Sequence, residues 1–328
     1  MSSHAPSCHC GHDHGAGPKH IYIYSPSSAV RDKAGFRRAI KRLQAMGHQV
    51  EIDADALSRQ TRFAGDDATR LAAIARAAAS GADIALISRG GYGLTRILPG
   101  LPYAAIAQAI ERGTQFVGVS DFTAFQLAVL AQTGATTWAG PALCPDFAGT
   151  EPPDDIMQAC FEDLLFGHGE GSGWRLPACK KSSTAPAPLP DELHIESAKL
   201  WGGNLTVLCA LLGTPYFPQV PGGILFLEDV NEHPYRIERM LTQLHHAGVL
   251  AQQQAIVLGQ FTGYTLAAHD KGFKLASVVE WLRSQLTIPV LTGLPYGHVE
   301  TKVLLPVGAT VELSVQGRDA LLYWGHLD

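Results

Sequence analysis

The stretch TQFVGVSDFTAFQLAVLAQTG, residues 114–134, shows how the first half of the chain folds. Its first seven residues are typical of a buried strand, and the residues from Asp121 predict a helix that ends at Gly134. Ser120 stands at the corner between the two elements. A serine at such a corner is either a helix N-cap or a nucleophile presented at the edge of a sheet.

The same alternation of strand and helix precedes this stretch. Three more strands are predicted at residues 20–26, 48–53 and 82–88, and three helices at 30–47, 66–81 and 104–113. Strands that alternate with helices favour a parallel sheet with both faces covered. We therefore expect an α/β fold that begins with a doubly wound, mostly parallel sheet domain.

The second half of the chain contains a further set of strands and helices. Strands are predicted at 222–229 and 254–261, helices at 234–248 and 275–286, and a closing hairpin at 309–325. The sequence thus predicts four parts: a disordered, His- and Cys-rich tail over 1–19, a nucleophile domain over 20–167, a Gly-, Ser- and Pro-rich linker over 168–192, and a C-terminal α/β domain with its own sheet over 193–328.

Composition excludes several classes of protein. The 328 residues are 46% hydrophobic and 17% charged, which favours a packed core over disorder. A formal net charge of -5 argues against nucleic acid as a partner. No apolar run is long enough to cross a bilayer, so no membrane partner is expected, and the N-terminus has no secretory pattern. Together with cysteines that lack a disulfide-framework spacing, this predicts a cytoplasmic protein.

Ser120 matches the nucleophile elbow of hydrolases only in part. Gly118 stands two residues before it, but Phe122 occupies the place of the second glycine of that pattern. On this fragment alone, a helix N-cap is favoured over a nucleophile. If Ser120 is a nucleophile, the backbone N–H of Asp121 lies at a helix start and can stabilise an oxyanion.

A second oxyanion donor can come from the glycines of RGGYG, residues 89–93, at the end of the preceding strand. Gly90 and Gly91 are also compatible with an ordinary turn or a phosphate loop. The segment lacks the Lys-Ser/Thr of a P-loop and the spacing of a dinucleotide fold, which argues against a nucleotide site.

A serine nucleophile requires a general base and a carboxylate that orients it. Among the fourteen histidines, His298 lies in a Gly- and Pro-punctuated loop directly after an apolar run. Glu228 lies at the C-terminal end of a predicted buried strand. Each residue alone is most simply an ordinary loop residue. Together they complete a Ser120, Glu228, His298 set in which each member follows a strand, where α/β folds present catalytic groups.

The chain resembles the LD-carboxypeptidase family of serine peptidases, most closely its bacterial muramoyltetrapeptide carboxypeptidases. The resemblance runs from about residue 20 to the end, and it is carried by six motifs that occur in order: RFAGDD (62–67), RGGYG (89–93), GVSDFTAFQ (118–126), LWGGNL (200–205), LFLEDVNEHPYRIERMLTQLHHAG (225–248) and GLPYGHVETKVLLPVGA (293–309).

The resemblance implies two domains with the active site in the groove between them. It implies Ser120 as nucleophile, His298 as base and Glu228 as orienting acid, with backbone oxyanion donors at Gly91 and Asp121. The implied reaction is release of terminal D-Ala from murein tetrapeptides, free or in muropeptide form, through an acyl-enzyme in peptidoglycan recycling. It implies no metal or organic cofactor, and it allows a homodimer, since enzymes of the family often dimerise.

Several further residues are candidates for binding the substrate. A terminal carboxylate requires a cation, and Arg89, Arg96 and Lys302 lie near the motifs. Trp201 and Asn204 are placed in the groove by their position in the family motif, although each residue can equally be structural.

The N-terminal tail has no counterpart that we associate with the family. Its thiols and imidazoles form a candidate metal site, distinct from the catalytic chemistry, at Cys8, His9, Cys10, His12 and His14. An inert disordered extension is an equally good interpretation.

Two alternatives remain open. The first is a microcin C-type immunity peptidase, which cleaves an aminoacyl or peptidyl nucleotide. In such proteins a sequence like GGYN tends to replace GGYG. Gly93 therefore favours the muramoyltetrapeptide carboxypeptidases over the immunity peptidases. A non-catalytic ligand- or metal-binding protein on the same scaffold has no use for all three of Ser120, Glu228 and His298, which argues against it.

Overall fold

The computed structural model describes residues 17–178 and 192–327, and both described parts are α/β. The elements of the first part are β1 (His20–Tyr24), α1 (Lys33–Ala45), β2 (Gln49–Ile52), α2 (Asp67–Ala79), β3 (Ile84–Ile87), α3 (Leu94–Ile97), α4 (Tyr103–Glu111), β4 (Gln115–Gly118), α5 (Phe122–Thr133), β5 (Thr137–Ala139), α6 (Leu143–Phe147), α7 (Asp155–Phe166) and β6 (Gly171–Arg175).

The elements of the second part are β7 (Glu192–Asn204), α8 (Leu205–Leu211), β8 (Ile224–Val230), α9 (Pro234–His246), β9 (Ala255–Thr262), α10 (Leu275–Gln285), β10 (Val290–Thr292), β11 (Leu305–Val307), β12 (Thr310–Gln316) and β13 (Asp319–Tyr323). Short 3₁₀ helices occur at Leu98–Gly100, Leu250–Gln252 and Ala268–Asp270.

The first sheet has the strand order β11-β5-β4-β3-β1-β2, and β1 to β5 run parallel. The chain leaves β1 toward β2 and then returns past β1 to β3, so the strand order reverses between β1 and β3. Ligands of open parallel sheets bind beyond the carboxyl ends of the strands at such a reversal. The prediction of a doubly wound, mostly parallel sheet is confirmed.

Helix α5 lies between the two halves of the molecule. Its residues Phe122–Leu130 are all buried, which a helix achieves only when it is covered on every side. It packs against β5 of the first sheet and against α8 and β7 of the second part. The N-terminus of this helix, directly after Ser120, therefore faces the junction of the two parts.

The second sheet has the order β10-β9-β8-β7-β12-β13-β6. Strands β7 to β10 run parallel, while β12, β13 and β6 are antiparallel to their neighbours. The thirteen-residue β7 joins the two portions, because its last residues pair with β8 and its earlier residues pair with β12. This confirms the prediction of a second α/β unit with its own sheet.

The division between the two units differs from the simple linker that the composition predicts. Strand β6 lies inside the segment 168–192 and pairs with β13 of the second sheet. Strand β11 returns from the C-terminal half and pairs antiparallel with β5 in the first sheet. Residues 179–191 and the tail at 1–16 lie outside the described residues. No helix in the described part of the chain is long and apolar enough to span a bilayer.

Candidate active site

Ser120 occupies a strained corner between β4 and α5. Its φ is +70°, in the left-handed region that a residue with a Cβ rarely adopts. The N-cap of α5 is Asp121, and no side chain caps this helix. The helix-cap interpretation of Ser120, which the fragment alone favours, is therefore wrong. A strained serine between a buried strand and a helix has the geometry of a nucleophile elbow.

Glycines on both sides make room for this corner. A Cβ on Gly90 would lie 2.6 Å from the Cβ of Ser120 and 2.9 Å from its Oγ, so the loop after β3 packs directly on the serine. A Cβ on Gly118 would lie 2.6 Å from the ring of Phe122. The corner thus accepts a phenylalanine where the hydrolase pattern has its second glycine, because that ring packs over Gly118.

The backbone N–H groups of Gly91 and Asp121, the oxyanion donors that the family resemblance implies, have no acceptor among the described residues. The same is true of the N–H groups of Gly90 and Ser120, so several free donors gather at this corner. Gly91 has φ of +128°, and a Cβ there would collide with the hydroxyl of Ser28. Only glycine fits this position without displacing the loop.

The carboxylate of Asp121 links the start of α5 to the end of the glycine loop, residues 89–93, that follows β3. Its Oδ2 accepts hydrogen bonds from the Ser27 hydroxyl at 2.5 Å and from the Leu94 backbone N–H at 3.0 Å. Burial raises the pKa of this carboxyl, while the two hydrogen bonds act in the opposite direction. The arrangement fixes the loop of Gly90 and Gly91 against the helix that follows Ser120.

His298 and Glu228 form a hydrogen-bonded pair. The distance between His298 Nδ1 and Glu228 Oε2 is 2.8 Å, and the glutamate side chain is completely buried, whereas the imidazole is 25% exposed. Gly297 has φ of +142°, and a Cβ there would lie 3.2 Å from Glu228 Oε2. A carboxylate that accepts from Nδ1 leaves Nε2 as the proton acceptor of the ring.

Opposing forces act on the imidazole. Burial lowers the pKa of His298, but the hydrogen bond and the negative charge of Glu228 outweigh it, so the pKa lies above its ordinary value. The charge of Lys302 lowers this pKa, and that of Asp229 raises it. The pair is therefore built to stabilise the imidazolium that forms when a base takes a proton.

Asn204 holds the carboxylate of Glu228 from the other side. Its Nδ2 donates to Glu228 Oε1 at 3.1 Å and to Asp229 Oδ1 at 3.0 Å, while its Oδ1 accepts the N–H of Val207 and caps α8. Neighbouring strand residues normally face opposite sides of a sheet. The pairing of β8 with β9 shifts register between Leu227 and Asp229, and this irregularity lets both carboxylates reach one amide.

Contacts at the first turn of α5 join this network to the nucleophile corner. Thr123, three residues after Ser120, accepts the backbone N–H of Asn204 on its Oγ1 at 3.0 Å. Gly203 has φ of +130°, and a Cβ there would lie 2.6 Å from the same oxygen. The close approach of these elements brings the turn of Ser120 against the strand ends that carry Glu228.

The loop that carries His298 is attached to the N-terminal unit. Lys302 Nζ and Asp146 Oδ1 form an ion pair at 2.5 Å, with side-chain exposures of only 3% and 4%. Next to it, Thr301 donates to Asp154 Oδ2 at 2.6 Å. His298 thus follows the second sheet, but the residues after it are held by the first unit.

Three of the residues predicted to bind substrate are buried and already paired with other side chains of the protein. Trp201 is 1% exposed and donates to Gln253, so it belongs to the core. Lys302 is committed to its buried ion pair, and Asn204 to the two carboxylates. These substrate-binding predictions are corrected, since buried and paired side chains have no free surface for a ligand.

The two arginines predicted to bind substrate, Arg96 and Arg89, differ in whether an acidic side chain pairs with them. Arg96 pairs with Asp67. Arg89 is half-buried, donates only to the carbonyl of Ala29, and forms no ion pair in the described part of the chain.

Sequence reasoning missed the supporting groups Asp229 and Asp146. The sequence does signal Asp229, because two consecutive acids at the end of an apolar strand are costly unless each has a partner. No local signal marks Asp146, whose partner lies 156 residues away along the chain. The candidate metal-binding residues of the tail lie outside the described residues.

Comparison with known proteins identifies family models that match both units of the chain. A family model described as the LD-carboxypeptidase N-terminal domain matches residues 21–140, and one described as the LD-carboxypeptidase C-terminal domain matches residues 197–313. The crystal structure of muramoyltetrapeptide carboxypeptidase from Oxalobacter formigenes superimposes with a TM-score of 0.82 at 37% identity, covering 93% of this chain and 98% of that chain.

Two curated relatives are similar along much of the sequence. A probable murein peptide carboxypeptidase of Bacillus subtilis (strain 168) is 28% identical over 93% of this chain and 92% of its own length. The microcin C7 self-immunity protein MccF of Escherichia coli is 28% identical over 70% of each chain.

Proposed function

The chain is a serine carboxypeptidase of the LD-carboxypeptidase family, and from this premise we propose that it releases the C-terminal D-Ala of murein tetrapeptides with Ser120, Glu228 and His298. The observation that carries the proposal is the 2.8 Å contact between His298 and the buried Glu228, combined with the strained corner that presents Ser120. A binding protein has no need of either feature.

In the proposed mechanism, Ser120 Oγ attacks the scissile carbonyl carbon while His298 Nε2 takes the hydroxyl proton. The backbone N–H groups of Gly91 and Asp121 stabilise the oxyanion. The imidazolium returns its proton to the amine of the departing D-Ala, which leaves an acyl ester on Ser120. A water molecule, deprotonated by the same imidazole, hydrolyses the ester and restores the serine. Glu228 keeps the imidazole in the correct tautomer throughout.

The substrate assignment is supported by the names of the relatives. The muramoyltetrapeptide carboxypeptidase of Oxalobacter formigenes and the probable murein peptide carboxypeptidase of Bacillus subtilis are similar over nearly the whole chain. We therefore propose that murein tetrapeptide, free or as a muropeptide, is the substrate and that the enzyme serves peptidoglycan recycling in the cytoplasm.

A second candidate function is cleavage of an aminoacyl or peptidyl nucleotide, which the similarity to the microcin C7 self-immunity protein favours. The glycine loop argues against it. Gly93 has φ of +133°, and a Cβ there would lie 2.7 Å from Arg70 Nη1 and 2.7 Å from the ring of Phe63. An asparagine at this position would therefore displace both side chains, so the loop is built for the sequence GGYG.

The test offers purified enzyme three substrates at equal concentration: a murein tetrapeptide, the corresponding pentapeptide, and an aminoacyl sulfamoyl adenylate. Chromatography of free D-Ala and of the free amino acid measures turnover. We expect release of D-Ala from the tetrapeptide alone, because the pentapeptide places its scissile carbonyl one residue further out. Equal release from the pentapeptide would contradict LD specificity, and preferential cleavage of the adenylate would establish the second candidate.

A further inference from the structure

Three arginine side chains near the loop beside Ser120 form no ion pair with an acidic side chain of the described residues. In residues 17–178 and 192–327, no carboxylate forms an ion pair with Arg31, Arg62 or Arg89. The chain has 30 acidic residues against 25 Lys and Arg, so the absence of partners does not follow from a shortage of acids. What distinguishes these three is that Arg31 and Arg62 act electrostatically on Arg89, and unpaired like charges gathered at one place favour the binding of an anion.

Hydrogen bonds to Ala29 connect Arg89 and Arg62, and Arg31 is close to both in the chain segment after β1. Arg89 Nη1 donates to the carbonyl of Ala29 at 3.3 Å, and the N–H of Ala29 donates to the carbonyl of Arg62 at 2.9 Å. Arg31 follows two residues after Ala29. The guanidinium of Arg62 lies 5.5 Å from the ring centroid of Tyr92, which is a residue of the glycine loop. The arginines therefore converge on the segment between the ends of β1 and β3, where the strand order reverses.

Arg89 is the least solvated of the three. Its side chain is half-buried, whereas Arg31 and Arg62 are exposed. Burial lowers the pKa of the Arg89 guanidinium, and the like charges of Arg31 and Arg62 lower it further. A guanidinium in such surroundings is destabilised, and a bound anion would relieve both effects.

Arg89 also neighbours, in the chain, the glycine that packs on Ser120. Arg89 is bonded to Gly90, whose missing Cβ would be 2.9 Å from Ser120 Oγ. In a peptide with a C-terminal amino acid, only a nitrogen and an α-carbon separate the scissile carbonyl carbon from the terminal carboxylate. A carbonyl placed at Ser120 therefore directs a carboxylate to its immediate surroundings.

We propose that Arg89, with Arg31 and Arg62 contributing longer-range attraction, binds the free α-carboxylate of the residue that is released. The proposal rests on the proposed function, because it takes Ser120 to be the site of peptide cleavage. Guanidinium groups bind carboxylates through two parallel hydrogen bonds. The arginines would then restrict the enzyme to the last peptide bond of its substrate and exclude internal bonds and capped termini.

The test compares two substrates that differ only at this group, the murein tetrapeptide with a free terminal carboxylate and the same peptide with a terminal carboxamide. Enzymes are the wild type, Arg89→Ala, Arg89→Lys, Arg62→Ala and, as a matched control, Arg37→Ala, an exposed arginine on α1. Thermal unfolding checks each variant for folding. The measured quantity is the ratio of kcat/KM for the acid to that for the amide.

We expect the wild type to favour the acid, and Arg89→Ala to lose about 10²-fold in kcat/KM on the acid while changing little on the amide. Arg89→Lys should retain part of the preference, because it keeps the charge and loses the planar fork. Arg62→Ala should lose a few-fold, about 2–5, and mainly at low salt. Arg37→Ala should match the wild type.

Two results would overturn the proposal: an Arg89→Ala variant that keeps the wild-type ratio, or one that loses equally on both substrates. If Arg89→Ala does not fold, Arg89→Lys and Arg62→Ala decide, and an unchanged ratio in both rejects the site. Failure of the proposed function looks different. The wild type would then release neither D-Ala from the acid nor D-alaninamide from the amide, and the carboxylate site would be rejected with it.

Discussion

The two units of this protein contribute to the candidate site in different ways. The N-terminal unit acts through its main chain: a strained φ at Ser120, glycines that make room beside it, and backbone N–H groups at Gly91 and Asp121. The C-terminal unit acts through buried side chains, with Glu228 held between His298 and an amide. Substitutions should therefore act through backbone geometry in one unit and through charge and hydrogen bonding in the other.

The largest expected effect tests whether both units are needed at all. Ser120→Ala and His298→Ala should each lower kcat by about 10⁴-fold or more, because members of a triad act as a unit. Steady-state release of D-Ala measures the effect. His246→Ala, an exposed histidine on α9, is the control and should be active. A folded Ser120→Ala enzyme with near wild-type turnover would reject the mechanism.

The second prediction concerns the buried ion pair that joins the units. Lys302→Met or Asp146→Asn should each destabilise the protein by about 3–5 kcal/mol, because one charge or polar group is left buried without its partner. The double variant should recover a substantial part of the loss. Urea unfolding measures all four proteins. Additive losses in the double variant would show that the two groups do not interact energetically.

The third prediction addresses the main-chain contribution of the N-terminal unit. Gly91→Ala should lower kcat by about 10²–10³-fold, since the new Cβ collides with Ser28 and moves the oxyanion donor. Gly81→Ala is the matched control. Its φ is also positive, +67°, but no atom lies within 4 Å of the added Cβ, so it should lose stability and keep activity. Equal kcat losses in both variants would mean that Gly91 has no special role.

The fourth prediction addresses the electrostatics of the C-terminal unit. Among the described residues, Glu228, Asp229, Lys302 and Asp146 interact electrostatically with His298. The pKa of His298 is raised, and Asp229 contributes to the rise. Asp229→Asn removes this contribution and should lower the pKa. Because the base acts in its neutral form, the acid limb of the kcat/KM profile should move to lower pH.

If Asp229 has only a structural role, Asp229→Asn should reduce activity without moving the acid limb of the kcat/KM profile. Asp319→Asn, a side chain that is 81% exposed, is the control and should leave the profile unchanged. A limb that stays in place, or moves to higher pH, in the Asp229→Asn enzyme would contradict the prediction.

The smallest expected effect measures the strain at the nucleophile. Ser120→Gly and Ser120→Ala both lack the hydroxyl and should both be inactive. Glycine adopts a φ of +70° without the steric cost that alanine has, so Ser120→Gly should be more stable than Ser120→Ala by about 1 kcal/mol. Thermal unfolding compares the two variants. Equal stability would show that the corner is not strained.

Much of this molecule can be predicted from local sequence. The doubly wound sheet follows from the alternation of strands and helices, and the three candidate catalytic residues follow from polar groups at the ends of apolar strands. The consecutive glycines of RGGYG predict a segment whose main chain can approach a substrate closely. The predictions of substrate-binding side chains agree less well with the structure. Trp201 stands in a motif, yet it is buried, because the face of β7 that it occupies packs against the core of its own unit.

The sequence by itself determined the fold class and the order of the chemical groups, because periodicity and turn preferences act over a few residues. Only the tertiary structure decided which distant groups meet. A register shift in β8 lets Glu228 and its neighbour Asp229 both reach the amide of Asn204 on β7, and the return of β11 to the first sheet carries Lys302 to Asp146. Such contacts depend on the pairing of strands far apart in the chain. A shift of one residue exchanges the two faces of a strand, so no local pattern specifies them.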